Sequence, residues 1–128
     1  MKRETIRTDT AAASRNPVAQ GMKFGNLIFT AGATPRDPKT GEIIRGDMRD
    51  HVRATLNNIK FVIEAGGSSL ENVLRVTCYL EDIENDFDAW NEVYKEFFPK
   101  DWPARTTIQA KLRGGATIEV DVIACVPT

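Results

Sequence analysis

The sequence lacks most of the residue types on which familiar active sites are built. Its 128 residues contain one histidine and two cysteines, and the cysteines show no metal-type spacing. No P-loop, dinucleotide-binding fingerprint or Ser–His–Asp arrangement occurs. We therefore expect no metal site. We interpret the single histidine, His51, as a solvated residue on a helix surface.

Charge and hydropathy exclude further classes of protein. The 17 basic and 18 acidic residues are dispersed, with a net charge of −1 and a pI of about 5.8. No basic stripe of the kind that binds nucleic acid is present. No apolar run approaches the ~20 residues of a membrane span, and the N-terminus has no secretory apolar region. We expect a cytoplasmic protein with free thiols and with neither nucleic-acid nor membrane partners.

What is present is the composition of an ordinary globular domain. Hydrophobic residues make up 41% and charged residues 27%, and the length suits one domain over residues 1–128. The hydrophobic periodicity predicts the order β-β-β-α-β-α-β-β, an α+β fold with a mixed sheet and both helices packed on one face. The predicted strands cover residues 3–8, 18–24, 27–33, 73–81, 104–112 and 117–122. The first is predicted to be a short edge strand, and the second and third to form a hairpin joined by Gly25–Asn26.

The predicted helices run from the N-cap Asp47, with Asp50 at capping-box spacing, to Gly66–Gly67 and, after an acidic lead-in over residues 82–86, from Phe87 to Phe98. Their apolar stripes are predicted to contain Met48, Val52, Leu56, Ile59 and Ile63 in the first helix and Phe87, Trp90, Tyr94 and Phe97 in the second. Ser68 and Glu71, also at capping-box spacing, predict a short capped turn over residues 68–72.

The last two strands are predicted to form a β-hairpin within residues 102–126. Gly114–Gly115 marks the turn, and a register that places Ile108 opposite Val120 matches the apolar faces. In this register Glu119 lies roughly 13 Å along the strands from Arg105. The polar residues of both strands then share the uncovered face of the sheet. These residues are Arg105, Thr107, Gln109, Glu119 and Asp121.

Two residues of the predicted hairpin are candidates for chemistry. Arg105 comes just after a loop that Trp102–Pro103 restricts, and it carries a planar guanidinium that matches a carboxylate in a bidentate pair. Glu119 lies in mid-strand, where an acid is disfavoured unless it is exposed or paired, and it could orient water or transfer a proton. The residues alone leave alternatives open: an exposed arginine at a strand start, and a glutamate paired across the strands with Lys111. Asn91 and Phe87 either pack the second helix or line a pocket.

Four stretches give the chain a resemblance to a known family. They are GNLIFTAGATPRDPKTGEIIRGD, TLNNIKFVIEAGGSSLENVLRVTCYLEDI, DFDAWNEVYKEFF and PARTTIQAKLRGGATIEVDVIA. Over about Asn16 to Val126 the chain resembles the Rid/YjgF family of reactive-intermediate deaminases. The resemblance implies a chorismate-mutase-like α+β fold, assembled as a homotrimer with clefts between subunits.

The resemblance also implies a reaction and a set of site residues. An imine or enamine acid would be hydrolysed to a 2-oxo acid and ammonia without a cofactor, because the imine is already an electrophile. Arg105, in the PAR motif, would hold the carboxylate, and Glu119 would position the attacking water. The further ligand contacts implied by the family motifs are Thr107, Asn91, Phe87 and Gly32.

Three positions depart from the family pattern. Val18 replaces the tyrosine of a GPY-type motif, and Ala31 and Ala33 replace the serine and glutamine of SGQ. These changes remove three polar groups from the implied cleft. We therefore expect altered ligand preference, towards a larger or more apolar acid than 2-aminoacrylate, or lost activity on that small substrate.

Two other functions compete with the deaminase. The three changed positions would also suit a protein that binds a small carboxylate without chemistry. Some relatives carry the label of endoribonuclease or translation inhibitor, but the acidic pI and the lone histidine argue against that function here.

Overall fold

The computed structural model describes all residues from 1 to 128 and contains one mixed sheet with two helices on one face. The sheet has six strands in the order β1-β2-β3-β6-β4-β5. The strands are β1 Arg3–Ile6, β2 Gly21–Phe24, β3 Leu27–Thr30, β4 Val73–Leu80, β5 Ala104–Gln109 and β6 Ile118–Cys125. The helices are α1 Met48–Ala65 and α2 Ile83–Phe97. The predicted α+β class, edge strand β1 and β2–β3 hairpin are confirmed.

The predicted hairpin within residues 102–126 is wrong. β5 pairs in parallel with β4, and β6 lies antiparallel on the other side of β4. The reason is the connection: β4, α2 and β5 form a strand–helix–strand unit, and such crossovers join parallel strands. The segment between β5 and β6 passes the end of β4, where Ala110 N donates to Leu80 O over 3.0 Å and Glu81 N donates to Thr117 O over 3.0 Å. Gly114 and Gly115 therefore turn within this crossing loop.

Both helices begin and end for local reasons. Asp47 accepts a hydrogen bond from Asp50 N, and Asp50 accepts one from Asp47 N, a reciprocal capping box. Gly66 caps the C-terminus of α1, as predicted. α2 begins at Ile83, four residues before the predicted start, with Asp82 as N-cap. The acidic stretch interpreted as a lead-in is the first turn, where carboxylates interact favourably with the helix dipole.

The core lies between the helices and one face of the sheet. The apolar stripe of α1 is almost completely buried against β6 and its neighbours, and Trp90 of α2 has no exposed surface. Cys78 is buried, and its thiol is free, as predicted for both cysteines; burial raises the pKa of the Cys78 thiol. The opposite face of the sheet carries exposed apolar side chains that include Phe29 and Ile108. Neither helix is long and apolar enough to cross a membrane.

The prediction for His51 is wrong, because its side chain is buried, with 8% of its surface exposed. One ring nitrogen is 2.7 Å from Thr117 Oγ1, and the other is 3.1 Å from the carbonyl oxygen of Ile44. Asn58, on the same side of α1, bonds to Ala12 N and to two loop carbonyls. The polar side chains on this side of α1 hold the adjacent loops in place by hydrogen bonds, so His51 has a structural role.

Residues 68–72 also differ in detail from the prediction. Leu70–Asn72 form a single 3₁₀ turn, and Ser69 occupies the N-cap position without a side-chain cap. The Ser68 hydroxyl, predicted to cap this turn, instead donates to the carbonyl of Cys125 over 2.6 Å. Ser68 thus ties the loop to the end of β6.

Candidate active site

Arg105 lies beneath α2, on the helix face of the edge strand β5. Its guanidinium carbon is 4.7 Å from the ring centroid of Tyr94, 5.5 Å from that of Trp90 and 5.9 Å from that of Phe87. These distances are within the range of cation–π attraction. Arg105 Nη2 donates to Asn91 Oδ1 over 2.7 Å. The helix repeat presents these four residues of α2 on one side, so a single helix orients the guanidinium.

The charge of Arg105 has no counter-ion within the chain. No carboxylate oxygen lies within 4 Å of its guanidinium, although α2 carries several acids. Glu92 and Glu96 are instead held by Arg49 and Arg53 of α1. Because Asn91 occupies only part of the guanidinium's donor set, further N–H groups remain for an anion.

A shallow pocket of about 330 Å³ opens beside Arg105. It is lined by Asn91, Tyr94, Lys95, Trp102, Pro103 and Arg105. None of these residues is acidic, and two are cationic. The arrangement is suited to binding a small carboxylate.

Thr107 shares the helix face with Arg105, two residues further along β5. Its hydroxyl accepts a hydrogen bond from the indole N–H of Trp90 over 3.1 Å. The hydroxyl therefore fixes one of the rings on which the guanidinium stacks. We define the arginine half-site as Phe87, Trp90, Asn91, Tyr94, Arg105 and Thr107.

Glu119 lies on the opposite face of the sheet, so the predicted common face is wrong. Its neighbours Ile118 and Val120 are fully buried on the helix side, and Glu119 and Asp121 alternate with them onto the open face. Arg105 is the register partner of the buried Val76, which places it on the helix face. Gln109, also predicted on the open face, accepts a hydrogen bond from the backbone of Ile83 at the start of α2.

The surroundings of Glu119 favour its protonated form. Burial raises the pKa of the Glu119 carboxyl, and the nearby charge of Asp121 raises it further. Burial also raises the pKa of Asp121, against the opposing effects of Tyr79 and Arg75. A carboxyl with a raised pKa exchanges protons closer to neutral pH than an ordinary one, as general acid–base catalysis requires.

The backbone of Gly32 lies directly against the Glu119 side chain, since an added Cβ at Gly32 would overlap the Glu119 carboxylate. The next residue, Ala33, exchanges two backbone hydrogen bonds with Val120, at 2.8 and 2.9 Å. Gly32 thus lies beside the glutamate, flanked by Ala31 and Ala33. We define the glutamate half-site as Gly32, Tyr79, Glu119 and Asp121.

The chain does not bring its two half-sites together. β4 separates their strands, and Arg105 is level with Val76 whereas Glu119 is level with Tyr79. Standard strand spacings then put the two Cα atoms roughly 14 Å apart, with side chains pointing to opposite faces. A single ligand cannot contact both groups of one chain.

Sequence reasoning missed two parts of these half-sites. Trp90 and Tyr94 were assigned to the apolar stripe of α2, yet they also form the bed of the guanidinium. Their spacing from Phe87 and Asn91 on the helix could have indicated this. Asp121, of the glutamate half-site, was identified only as a polar strand residue. Trp102, which lines the pocket beside Arg105, was identified only as part of a restricted loop.

Comparisons with known proteins agree with this architecture. The family profile described as Endoribonuclease L-PSP matches residues 8–126. A RutC family protein of Pyrococcus horikoshii is 46% identical over 123 residues, 95% of this chain and 97% of that protein. The 2-iminobutanoate/2-iminopropanoate deaminase of Escherichia coli is 36% identical over 125 residues, 94% of this chain and 96% of that enzyme. The crystal structure of E. coli TdcF with bound serine has a TM-score of 0.90 at 35% identity, and the match covers 95% of this chain and 98% of TdcF.

Proposed function

Since the chain belongs to the Rid/YjgF family, whose profile is described as Endoribonuclease L-PSP, we propose that it hydrolyses an imine or enamine carboxylic acid. The products are a 2-oxo acid and ammonia. The reaction takes place where the arginine half-site of one copy meets the glutamate half-site of another, in a homotrimer.

The observation that carries the proposal is the unpaired, fixed guanidinium of Arg105. Three aromatic rings and Asn91 determine its orientation, and no carboxylate of the chain neutralises it. A fixed guanidinium without a counter-ion favours a bidentate carboxylate ligand. TdcF, a relative with the same fold, has been crystallised with bound serine, an amino acid that carries such a carboxylate.

Glu119 acts as the general base and then as the general acid of the reaction. As a water oxygen bonds to the iminium carbon, the Glu119 carboxylate accepts a proton from that water. It then returns the proton to the nitrogen of the tetrahedral intermediate, the C–N bond breaks with loss of ammonia, and Glu119 accepts the hydroxyl proton as that oxygen becomes the carbonyl of the 2-oxo acid. An enamine reaches the same electrophile after protonation at its β-carbon. The protein needs no cofactor for these steps, because the iminium carbon already attracts the nucleophile.

Assembly explains how the half-sites complete each other. A second copy that covers the open face of the sheet brings its arginine half-site against Glu119. It also covers exposed apolar residues of that face, such as Phe29 and Ile108. Closed symmetric assembly repeats the same contact around a ring, so a homotrimer contains three such sites.

The direct test measures ammonia and 2-oxo acid release from imines generated in situ by amino-acid oxidases. Arg105→Ala should lower kcat/KM by about 10²–10³-fold, since a buried charge pair loses one partner. Arg113→Ala, an exposed arginine of the crossing loop, is the matched control and should retain activity. Undiminished turnover by Arg105→Ala, at unchanged assembly mass, would contradict the proposal.

A non-catalytic carboxylate-binding protein is the second candidate. It is favoured by the apolar residues Val18, Ala31 and Ala33 at positions where the catalytic relatives' motif is polar. This function predicts saturable calorimetric binding of 2-oxo acids with no ammonia release across the imine panel. Turnover of any panel member excludes it.

A further inference from the structure

Trp102 is a large aromatic residue left at the surface. It is 63% exposed, whereas Trp90, the other tryptophan, is completely buried. An exposed tryptophan gains little from folding, since most of its apolar area stays in water. Its position beside the Arg105 pocket therefore raises the question of what it contacts.

The indole of Trp102 is nevertheless held in place. Its N–H donates to the carbonyl of Phe98 over 2.8 Å, at the C-terminal end of α2. Pro103 restricts the backbone on one side, and Asp101 adopts a left-handed conformation, with φ of 52°, on the other. An exposed ring with a fixed orientation is a preorganised binding surface, because little entropy remains to be lost when a ligand covers it.

The ring forms a wall of the pocket that contains the Arg105 guanidinium. Apart from the polar ends of Asn91, Lys95 and Arg105, the lining is Tyr94, Trp102 and Pro103. The volume of about 330 Å³ lies in the range of pockets that accept ligands much larger than a three-carbon acid. A ligand with its carboxylate on Arg105 has an aromatic wall available to its side chain.

We propose that Trp102 is a specificity-determining residue that selects acids with an aromatic or large apolar side chain. The inference rests on the proposed function in one respect, that the carboxylate of the substrate binds Arg105. The indole face stacks on the substrate side chain, and the lysine stem and proline complete an apolar wall. The loss of polar groups at Val18, Ala31 and Ala33 acts in the same direction.

The test begins with binding, so that it does not depend on turnover. Two unreactive acids serve as probes: 3-phenylpropanoate and propanoate, titrated against tryptophan fluorescence and by calorimetry. The indole emission of Trp102 should move to shorter wavelength when the phenyl acid displaces water. Trp102→Phe leaves only the emission of Trp90, so the difference between the two proteins isolates the Trp102 signal.

The expected result is a preference of about tenfold or more for the phenyl acid, typical of discrimination in an apolar pocket. Trp102→Ala should abolish the preference, whereas Trp102→Phe should retain most of it, because a benzene ring still stacks. The same ratio should appear in kcat/KM for the imines of phenylalanine and alanine, mainly through KM.

Several results would overturn the inference. They are failure of both acids to bind, a preference that survives Trp102→Ala, tighter binding of succinate than of 3-phenylpropanoate, and a changed assembly mass for Trp102→Ala. The two proposals fail separately. If the preference for the phenyl acid depends on Trp102 but no imine is turned over, the deaminase proposal fails and the role of Trp102 stands. If imines are turned over but the ratio of kcat/KM for the two imines does not depend on Trp102, the role of Trp102 fails and the deaminase proposal stands.

Discussion

The arginine and glutamate half-sites lie on opposite faces of one sheet, and they differ in what surrounds the functional group. The guanidinium of Arg105 is already oriented by a hydrogen bond and three aromatic rings of its own chain. The carboxyl of Glu119 faces an open surface, beside Asp121 and the backbone of Gly32. One half-site is organised by packing within the chain, whereas the other lies on the open face of the sheet, where we propose that a second copy binds.

Under the proposed function, the two half-sites separate substrate binding from proton transfer. A rigid cation on the helix side is suited to holding the substrate in both the ground state and the transition state. A carboxyl with a raised pKa is suited to transferring protons only as the reaction proceeds. Changes in the arginine half-site should therefore alter substrate affinity, and changes in the glutamate half-site should alter kcat.

The largest effect within this comparison is expected for Glu119→Gln. The amide cannot accept a proton from water, so kcat should fall by about 10²–10⁴-fold while KM changes little. Steady-state kinetics on the best imine of the panel measure both constants. A rise in KM at constant kcat would assign Glu119 to binding instead.

Gly32→Ala should give an intermediate loss. The new methyl group occupies the position of the Glu119 carboxylate, and the flexible glutamate side chain must move aside. We expect kcat to fall by about 10–100-fold, since misplacement of a catalytic group by about 1 Å costs about that much. Thermal unfolding should be nearly unchanged. A large loss of stability with intact kcat in the folded fraction would show that Gly32 serves packing alone.

Asn91→Ala tests the other half-site. Removal of the Asn91 amide leaves Arg105 Nη2 without its one hydrogen-bond partner, so the guanidinium is held less firmly. A hydrogen bond to a charged group contributes about 1.5–3 kcal/mol, so KM should rise by about tenfold or more, with kcat largely kept. Glu92→Gln, one residue along the same helix but bonded to Arg49, is the control and should leave KM unaltered. Equal changes in both variants would refute a specific role of Asn91.

The smallest effect is a shift in pH dependence on Asp121→Asn. Glu119 must be ionised to accept a proton, so kcat falls as pH drops through its pKa. Burial is the larger cause of its raised pKa and remains in the variant, but the repulsion from Asp121 disappears. The acid limb of the kcat profile should therefore move to lower pH. A limb that stays in place, or moves to higher pH, would separate Asp121 from the proton transfer.

Local patterns predicted most elements but not every pairing. The capping box at Asp47, the glycine cap at Gly66 and the apolar stripe of α1 follow from rules that act within a few residues, and all three are confirmed. The pairing of β5 with β6 failed because alternation alone does not name a partner strand. The Gly114–Gly115 turn and the matched apolar faces made the hairpin self-consistent. The strand–helix–strand order of β4, α2 and β5 was the competing signal, and it prevailed.

The wrong pairing of β5 with β6 also led to wrong predictions of the sheet face on which candidate residues lie. Arg105 and Asn91 were proposed from the sequence, and the structure brings them together, with Phe87 against the guanidinium. Arg105 was predicted on the uncovered face with Glu119 only because the two strands were paired directly, and of the two only Glu119 lies on that face. His51 was misassigned because a polar side chain adjoining an apolar stripe can be buried when loops supply its hydrogen bonds.

The proposed function requires that one functional site take Arg105 from one copy and Glu119 from another. Co-expression of Arg105→Ala and Glu119→Ala chains in equal amounts tests it, because some interfaces of the mixed assemblies then combine an intact arginine with an intact glutamate. Random assembly around a closed ring predicts about one such site in four, and so about a quarter of wild-type deaminase activity. Activity no higher than that of either variant alone, in assemblies shown by mass spectrometry to contain both chains, would contradict the claim.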